Sequence, residues 1–172
     1  VGFGGTEKRI DVLATAIRAG FTAEDLTELD LCYAPPYSSA KDPVNMAGYV
    51  IGNILNGVVC QHTWKDVEKL AKDDNALFLD VQTRGEYEAA HLAGAVNIPV
   101  DELRARMGEL DKSKTVYVNC YSGLRSYIAC RMLSANGYRC SNLAGGIRFY
   151  KVVAEGGVYD EVSRHLCGMK NQ

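Results

Sequence analysis

Long hydrophobic runs are absent from this chain of 172 residues. A helix that crosses a membrane needs about 20 consecutive apolar residues, and the longest apolar runs here are far shorter. The N-terminus also lacks a basic segment followed by an apolar one, which is the layout of a secretory signal peptide. These absences predict a protein with no membrane contact and a cytoplasmic location.

A stretch that concentrates basic residues is missing too. The chain holds 19 Lys and Arg against 21 Asp and Glu, and its formal net charge at pH 7 is -2. A nucleic acid therefore finds no obvious binding surface. Hydrophobic residues make up 47% of the sequence and charged residues 23%, as in ordinary globular proteins. The composition predicts a packed enzyme or binding domain that does not bind nucleic acid.

The cysteines show neither a CxxC pair nor the spacing of a metal site. Six are present, at positions 32, 60, 120, 130, 140 and 167. A free cysteine usually behaves as a small core hydrophobe. We therefore expect separate reduced thiols, most of them in the core, and no bound metal ion.

Residues 1–57 are predicted to form mainly helices. Residues 6–19 and 43–56 place apolar side chains at helical spacing. Thr22 precedes an acidic first turn and is predicted to cap a short helix between them. The one candidate strand is a stub at Val1–Phe3. These elements are too few to close a core of their own, so we expect this segment to be part of a larger domain.

The pattern changes near Asn56–His62, and residues 58–172 alternate short strand-like runs with helical segments. The predicted strands are 77–81, 95–99, 115–119 and 139–142, and the predicted helices are 63–71, 84–90, 101–107, 124–136 and 146–154. Such alternation indicates an α/β fold with a mainly parallel sheet and helices on both faces. Functional sites of such folds collect at the C-terminal ends of the strands.

One cysteine stands at such a strand end. Cys120 directly follows the apolar run 115–119 and directly precedes the helical segment 124–136. The free backbone N–H groups and the positive end of a helix dipole favour an anion there, and so favour the thiolate. Gly123 allows the loop to fold tightly, and Arg125 adds positive charge. The sequence therefore predicts a reactive thiolate at Cys120.

A buried core position is the alternative for this cysteine, since free cysteines are among the most buried residues. The combination of Cys120, Gly123 and Arg125 between a strand and a helix argues against it. Such a combination has little reason to occur in a plain packing site. The loop residues expected to surround the Cys120 thiolate and to form the binding loop are Tyr121, Ser122, Gly123, Leu124 and Ser126.

The motif CYSGLRS resembles the active-site loop of rhodanese-like domains. Two flanking segments are similar to that family as well, namely FLDVQTRGEYEAAHLAGAVNIP and NLAGGI. The resemblance covers about residues 60–155. It implies a sulfurtransferase in which Cys120 carries a persulfide held by loop N–H groups, with Arg125 as a loop charge. A small sulfane-sulfur donor and a thiol acceptor would be its partners.

The chain departs from the family pattern at Gln82, where the family often has Arg. An ion pair from that position to a residue such as Glu86 is therefore expected to be absent. Asp80 is retained, and we expect Asp80 and His91 to support the site by ordering loops through hydrogen bonds. Asp80, Glu86 and His91 are predicted to have supporting, structural roles around Cys120.

Two other functions remain open at this point. Cysteine phosphatases and arsenate reductases resemble rhodaneses, but their loop between the nucleophilic Cys and the Arg is longer. Here four residues separate Cys120 from Arg125, and a shorter loop suits one sulfur better than a phosphoryl group. A rhodanese-like module that only binds partners is the third possibility, and retention of Cys120 and Arg125 argues against it.

The segment CYAPPYSSAKDPVN resembles the dimerisation domain of pyridine nucleotide-disulfide oxidoreductases, especially coenzyme A disulfide reductases and NADH oxidases. Some of those proteins end in a fused rhodanese domain. The resemblance implies that residues 1–57 are a C-terminal remnant of such a dimerisation domain and residues 58–172 its rhodanese-like domain. The parent would be a homodimer that uses FAD, NAD(P)H and coenzyme A, and Tyr33 and Tyr37 could reach the partner subunit's substrate.

No cofactor is expected in this chain itself. The glycines of VGFGG fall short of a dinucleotide fingerprint, because the full spacing and the acidic residue that should follow are missing. A strand end followed by a turn is the preferred interpretation of those glycines. Flavin and nicotinamide chemistry would therefore belong to the parent protein.

Overall fold

The computed structural model describes residues 5–34, 39–154 and 156. The chain divides into two compact units, one of residues 1–58 and one of residues 59–172. We call them the N-terminal unit and the C-terminal unit, and each is described by itself.

The described residues of the N-terminal unit form three helices, as predicted. They are α1 (Thr6–Ala19), α2 (Ala23–Glu28) and α3 (Pro43–Leu55). Thr22 caps α2 through a reciprocal capping box with Asp25, as its sequence position indicated. The predicted strand stub at Val1–Phe3 lies outside the described residues.

The core of the N-terminal unit is small. It centres on Ala16, Leu26 and Val44, one from each helix. Asn45 is 3% exposed, and its amide donates to the backbone carbonyls of Leu26 and Leu29 at 3.0 and 2.9 Å. These bonds satisfy carbonyls that the end of α2 leaves without helical partners. Several large apolar side chains on α1 and α3 are exposed, among them Ile10, Ile17, Tyr49, Ile54 and Leu55.

The described residues of the C-terminal unit contain a five-stranded sheet in which every strand pair is parallel. In chain order the strands are β1 (Gln61–His62), β2 (Ala76–Asp80), β3 (Val96–Asn97), β4 (Thr115–Asn119) and β5 (Arg139–Leu143). The order across the sheet is β1-β5-β4-β2-β3. Strand β1 was not predicted, because its two residues carry too little apolar pattern. Strand β3, also of two residues, is shorter than the predicted 95–99.

In the described residues of this unit, four helices connect the strands and a fifth follows β5. They are α4 (Val67–Leu70), α5 (Arg84–Ala89), α6 (Leu103–Arg106), α7 (Leu124–Ala135) and α8 (Gly146–Ala154). The helix predicted at 63–71 is too long, because the Asp66 carboxylate binds the backbone N–H and the hydroxyl of Thr63, each at 2.8 Å, and holds a turn there. Helix α6 ends earlier than predicted and passes into a single 3₁₀ turn at Met107–Glu109.

Two apolar layers enclose the sheet and confirm the predicted α/β class. On one face, Leu103 of α6 and Leu133 of α7 pack with Val116 and Val118 of β4. On the other face, α4, α5 and α8 contribute Val67, Tyr87 and Ile147, which pack around Phe78 and Leu143. Over the described ranges, none of the helices combines the length and apolarity that crossing a membrane requires.

We predict that Gly48→Ala and Gly52→Ala, both in α3, have opposite effects on stability. A Cβ at Gly48 would lie 2.7 Å from the carbonyl oxygen of Ala23 and 2.9 Å from the Leu26 Cβ, whereas one at Gly52 would meet nothing within 4 Å. Gly48→Ala should destabilise the N-terminal unit by about 1–3 kcal/mol through overpacking. Gly52→Ala should stabilise it by about 0.5–1 kcal/mol, because alanine favours a helix over glycine.

Hydrogen exchange measured by mass spectrometry over residues 6–55 checks this pair. Faster exchange of α2 amides in Gly48→Ala, together with equal or slower exchange in Gly52→Ala, is the expected result. Equal protection in the two variants would show that α2 and α3 do not approach as closely as described.

Candidate active site

The C-terminal ends of β2 and β4 meet at one edge of the sheet, where Asp80 lies beside Asn119. The Asn119 amide donates to the Asp80 carboxylate at 2.7 Å, and both residues are buried. Cys120 follows Asn119 directly. The predicted nucleophile therefore lies where two buried strands end, as the sequence analysis expected.

The sulfur of Cys120 lies inside a short loop and has two hydrogen-bond donors. The backbone N–H of Gly123 lies 3.2 Å from Sγ, and the hydroxyl of Ser126 lies 3.3 Å from it. The cysteine has no exposed surface, and it borders the core formed with Ala129 and Cys130 of α7. Cys120 is therefore as buried as a core cysteine would be. The two hydrogen-bond donors at the start of α7 nevertheless distinguish its site from a plain packing position.

Gly123 gives the loop its shape. Its φ of 102° and ψ of -13° lie in a left-handed region that other residues rarely adopt. Helix α7 begins at the next residue, so its first N–H groups lie at the same end as the sulfur. This geometry is the reason that a glycine is needed between the cysteine and the helix.

Helix α8 contacts the backbone carbonyls of the Cys120 loop, a role that the sequence analysis missed. The N–H groups of Ile147 and Arg148 donate to the carbonyls of Cys120 and Tyr121 at 2.9 and 3.1 Å. A Cβ at Gly146 would lie 2.5 Å from both carbonyl oxygens, so this position has no room for a side chain. The glycine pair of NLAGGI is the sequence signal for this contact.

The positive charge of Arg125 is paired with a carboxylate. Its guanidinium forms a bidentate pair with Glu86 at 2.7 and 2.8 Å. Burial raises the pKa of Glu86, but the hydrogen bonds from Arg125 and Thr83 outweigh it, and the pKa lies below its ordinary value. The same pair raises the pKa of Arg125, and an interaction with the Cys120 sulfur adds to this rise. Glu86 therefore has its ion pair with the loop, 39 residues away in sequence, instead of with position 82.

Asp80 is a buried carboxylate that organises the strand ends. The backbone N–H and the amide of Gln82 donate to it at 2.8 and 3.0 Å. Burial raises the pKa of Asp80, and the hydrogen bonds from Gln82 and Asn119 act in the opposite direction. The Gln82 amide also donates to the carbonyl of Ala90 at 3.1 Å. Gln82 thus uses a neutral amide to tie the loop after β2 to the end of α5.

The remaining predicted site residues differ in their contacts and in their exposure. His91 is exposed, binds the Tyr87 carbonyl through Nδ1 at 2.7 Å and stacks on the Tyr87 ring, so it orders the end of α5. Leu124 is 48% exposed at the start of α7. Ser122 is partly exposed in the loop, and the ring of Tyr121 lies 6.0 Å from the Arg148 guanidinium carbon.

Tyr33 belongs to the N-terminal unit. It is 51% exposed and lines a cavity of about 140 Å³ together with Leu29, Lys41 and Asn45. Tyr37 lies outside the described residues. No group of three or more His, Cys, Asp or Glu suited to a metal ion occurs in the part of the chain that the structure describes.

Comparison with known proteins assigns the second unit to a family. The rhodanese-like domain family matches residues 63–151, which is just over half of the chain. The chain is 37% identical over 82 residues to the putative sulfur carrier protein YrkF of Bacillus subtilis, a match that covers 47% of this chain and 44% of that protein. It is 55% identical over 49 residues to a coenzyme A disulfide reductase of Staphylococcus haemolyticus, covering 28% and 11% of the two chains.

Two solved structures resemble most of the chain. The reduced Bacillus anthracis CoADR-RHD matches with a TM-score of 0.83 and 43% identity, over 87% of this chain and 27% of that chain. An NAD-dependent persulfide reductase from A. fulgidus matches with a TM-score of 0.72 and 38% identity, over 84% and 26%. The chain thus spans about a quarter of these structures and less than half of the B. subtilis relative.

These matches confirm the resemblance to reductases that carry a rhodanese-like domain. The match to the Bacillus anthracis structure is long enough to include residues of both units. The C-terminal ends of β2 and β4 and the Cys120 loop lie within the matched family segment, and helix α8 begins within it. By this match, the chain belongs to the rhodanese-like domain family.

Proposed function

We propose that this chain is a rhodanese-type sulfurtransferase that forms a persulfide on Cys120 and passes the sulfane sulfur to a thiol acceptor. The observation that carries the proposal is the Cys120 sulfur itself, which accepts hydrogen bonds from the Gly123 N–H and the Ser126 hydroxyl at the start of α7. Two donors directed at one sulfur stabilise a thiolate in a site from which water is excluded.

The reaction consists of two displacements on sulfur. The Cys120 thiolate attacks the sulfane sulfur of the donor, an S–S bond forms to Sγ, and the bond to the donor's leaving group breaks with its electron pair. An acceptor thiolate then attacks the outer sulfur of the persulfide and returns Cys120 as a thiolate. The covalent intermediate divides one transfer into two steps.

The loop favours sulfur transfer over phosphoryl transfer. Four residues lie between Cys120 and Arg125, so the loop is short. Both terminal guanidinium nitrogens of Arg125 bind Glu86. An arginine that served a phosphoryl group would have to direct those donors at the phosphate oxygens instead. Arg125 is therefore proposed as a positioning residue that holds the loop against α5.

Asp80 and His91 are proposed to support the site rather than to react. Asp80 fixes Asn119, the residue before the nucleophile, through a buried hydrogen bond of 2.7 Å. His91 holds the end of α5, the helix that carries Glu86. Each therefore affects Cys120 through a neighbouring element.

We further propose that the chain is the C-terminal part of a flavin-dependent reductase of coenzyme A disulfide, persulfide or polysulfide. Residues 1–57 would be the remnant of its dimerisation domain and residues 58–172 its rhodanese-like domain, with a homodimer as the assembly. Similarity to a coenzyme A disulfide reductase and to an NAD-dependent persulfide reductase supports this. In that setting Tyr33 and Tyr37 could reach the partner's substrate.

The described residues of the N-terminal unit do not form a site that fits FAD or NAD(P)H. Dinucleotides bind at a turn from a strand into a helix, with their phosphates at the helix N-terminus. The described residues of the N-terminal unit hold three helices and no strand. Cofactor chemistry is therefore assigned to the missing part of the proposed parent, and no step is derived through it.

We predict that Cys120→Ser reduces sulfur transfer to the uncatalysed background while the domain stays folded. The hydroxyl retains the size of the side chain and its hydrogen bonds, but it is a poor nucleophile at neutral pH. Thiocyanate formation from thiosulfate or polysulfide and cyanide is the measurement. Cys60→Ser is the matched control, because that thiol is exposed and precedes β1.

Two results would contradict this assignment. Activity of Cys120→Ser close to that of the wild type would move the nucleophile to another cysteine. Aryl phosphate hydrolysis that exceeded sulfur transfer and required Cys120 would favour the phosphatase alternative.

We predict that Glu86→Gln destabilises the C-terminal unit by about 1–3 kcal/mol at pH 7, because it removes a charged partner of Arg125. The folded-state pKa of Glu86 lies below its ordinary value of 4.5. The ion pair therefore stabilises the fold at neutral pH, and this contribution is lost as the pH falls through that lowered pKa. The difference between wild type and variant should shrink below pH 4.5.

Urea unfolding at several pH values, followed by the fluorescence of Trp64, measures this difference. Glutamine can still serve as the third residue of the Thr83 capping box, so the helix start is preserved. Glu88→Gln on the same helix is the control, because its side chain is exposed. A difference that stayed constant from pH 7 to pH 3, roughly one unit below the ordinary carboxyl pKa, would rule out the ion pair as its cause.

A last prediction concerns the proposed parent. This chain alone should transfer sulfur but neither bind FAD nor oxidise NAD(P)H, since the described residues of the N-terminal unit contain no strand-to-helix turn for a dinucleotide. An absorbance spectrum and an NADH consumption assay test this, with sulfur transfer in parallel as evidence of folding. Stoichiometric flavin on the purified chain would refute the remnant interpretation and leave the case for Cys120 unchanged.

A further inference from the structure

The part of the chain that builds the candidate site has no acidic residues. Residues 120–154 comprise the Cys120 loop, α7, β5 and α8, and they hold no Asp or Glu. Their five basic residues are Arg125, Arg131, Arg139, Arg148 and Lys151. The whole chain has a formal net charge of -2, so the segment around the nucleophile is positive in a chain that is negative. Such an uneven charge distribution attracts anionic ligands to the positive part.

Two of these five charges are either paired or lie far from the nucleophile. Arg125 forms its bidentate pair with Glu86. Arg139 pairs in register with Thr115, where β4 begins, whereas Cys120 follows the end of β4. The charge of Arg125 is thus neutralised, and Arg139 lies at the opposite edge of the sheet.

Arg148 lies beside the loop, in the first turn of α8. Its backbone N–H donates to the carbonyl of Tyr121 at 3.1 Å, and its guanidinium carbon lies 6.0 Å from the centre of the Tyr121 ring. Tyr121 directly follows Cys120, and both Tyr121 and Arg148 are partly exposed. The starts of α7 and α8 also approach each other, because a Cβ at Gly123 would lie 3.7 Å from the backbone nitrogen of Gly146. Arg148 therefore brings a positive charge to a part of the loop that solvent reaches.

We propose that Arg148 selects the acceptor of the sulfur, and that the preferred acceptor is a thiol with an additional anionic group, such as a sulfonate, carboxylate or phosphate. This inference rests on the sulfur transfer proposed above and concerns its second step. Guanidinium groups bind such oxyanions through charge-assisted hydrogen bonds. The anionic group would bind at Arg148 while the thiolate of the same molecule reaches the persulfide.

The second step brings two negative charges together, which is the reason that a nearby cation affects it. The acceptor thiolate attacks the outer sulfur of the Cys120 persulfide anion and forms a new S–S bond. The bond between that sulfur and Sγ breaks, and its electron pair remains on Cys120 as a thiolate. The acceptor leaves as a persulfide anion, so atoms and charge balance. A further anionic group on the acceptor increases the repulsion, and Arg148 offsets it.

Three small thiols that differ in charge test the proposal. Mercaptoethanesulfonate is anionic, mercaptoethanol is neutral and cysteamine is cationic beside the thiol. The chain is loaded with sulfur from polysulfide, desalted, mixed with each thiol and alkylated at intervals. Trypsin cleaves after Lys114 and Arg125, so peptide 115–125 carries Cys120 as its single cysteine and reports the remaining persulfide by mass spectrometry. Rates are compared per thiolate, because the three thiols ionise to different extents.

The wild-type chain should react fastest with mercaptoethanesulfonate and slowest with cysteamine. Arg148→Gln should lower the ratio of these two rates about three- to tenfold, the effect of one charge close to a solvated ligand. Arg148→Lys keeps the charge and should keep the order of the thiols. Arg131→Gln on α7 is the matched control, because its side chain is exposed and lies two turns beyond the start of that helix. Added salt should reduce the wild-type ratio through screening.

Four results would overturn the proposal. They are a wild-type ratio in Arg148→Gln, an equal fall of all three rates in that variant, an equal change of the ratio in Arg131→Gln, and a wild-type ratio that salt leaves unchanged. The second would show that Arg148 only maintains the loop, since a distorted loop affects every thiol alike. If no thiol removed the sulfur from Cys120 of the wild type, the transfer to a thiol would itself be refuted, and this inference with it.

Discussion

The close approach of helix α8 to the backbone of the Cys120 loop is the constraint on which the rest of the site depends. Two loop carbonyls accept hydrogen bonds from the first N–H groups of α8, and Gly146 leaves no space for a side chain between them. Because these carbonyls face α8, the loop N–H groups can face the sulfur. A loop of this length would otherwise leave its backbone groups to water.

Two polar contacts then hold the loop from its flanks. Asp80 and Asn119 join the ends of neighbouring strands under the nucleophile, and Arg125 and Glu86 join the start of α7 to α5. Both contacts are at least partly buried, so losing one partner would leave an unsatisfied group and not merely a missing bond. The reactive sulfur is thus positioned by three elements that are distant in sequence.

Much of this arrangement could be predicted from sequence, and the failures have a common cause. Strand β4 and helix α8 match their predicted bounds, because their apolar patterns and end signals are local. Strand β1 was missed because its two residues are a strand only by pairing with β5. The partner of Glu86 and the contact at Gly146 were missed for the same reason, since each joins segments that only the folded chain brings together.

The position of α8 near the end of the domain also sets when the reactive loop can exist. Synthesis proceeds from the N-terminus, so Cys120 emerges before Ile147 and Arg148, whose N–H groups its loop requires. Until then the loop carbonyls lack those donors. The loop can therefore reach its described geometry only after helix α8 has been made.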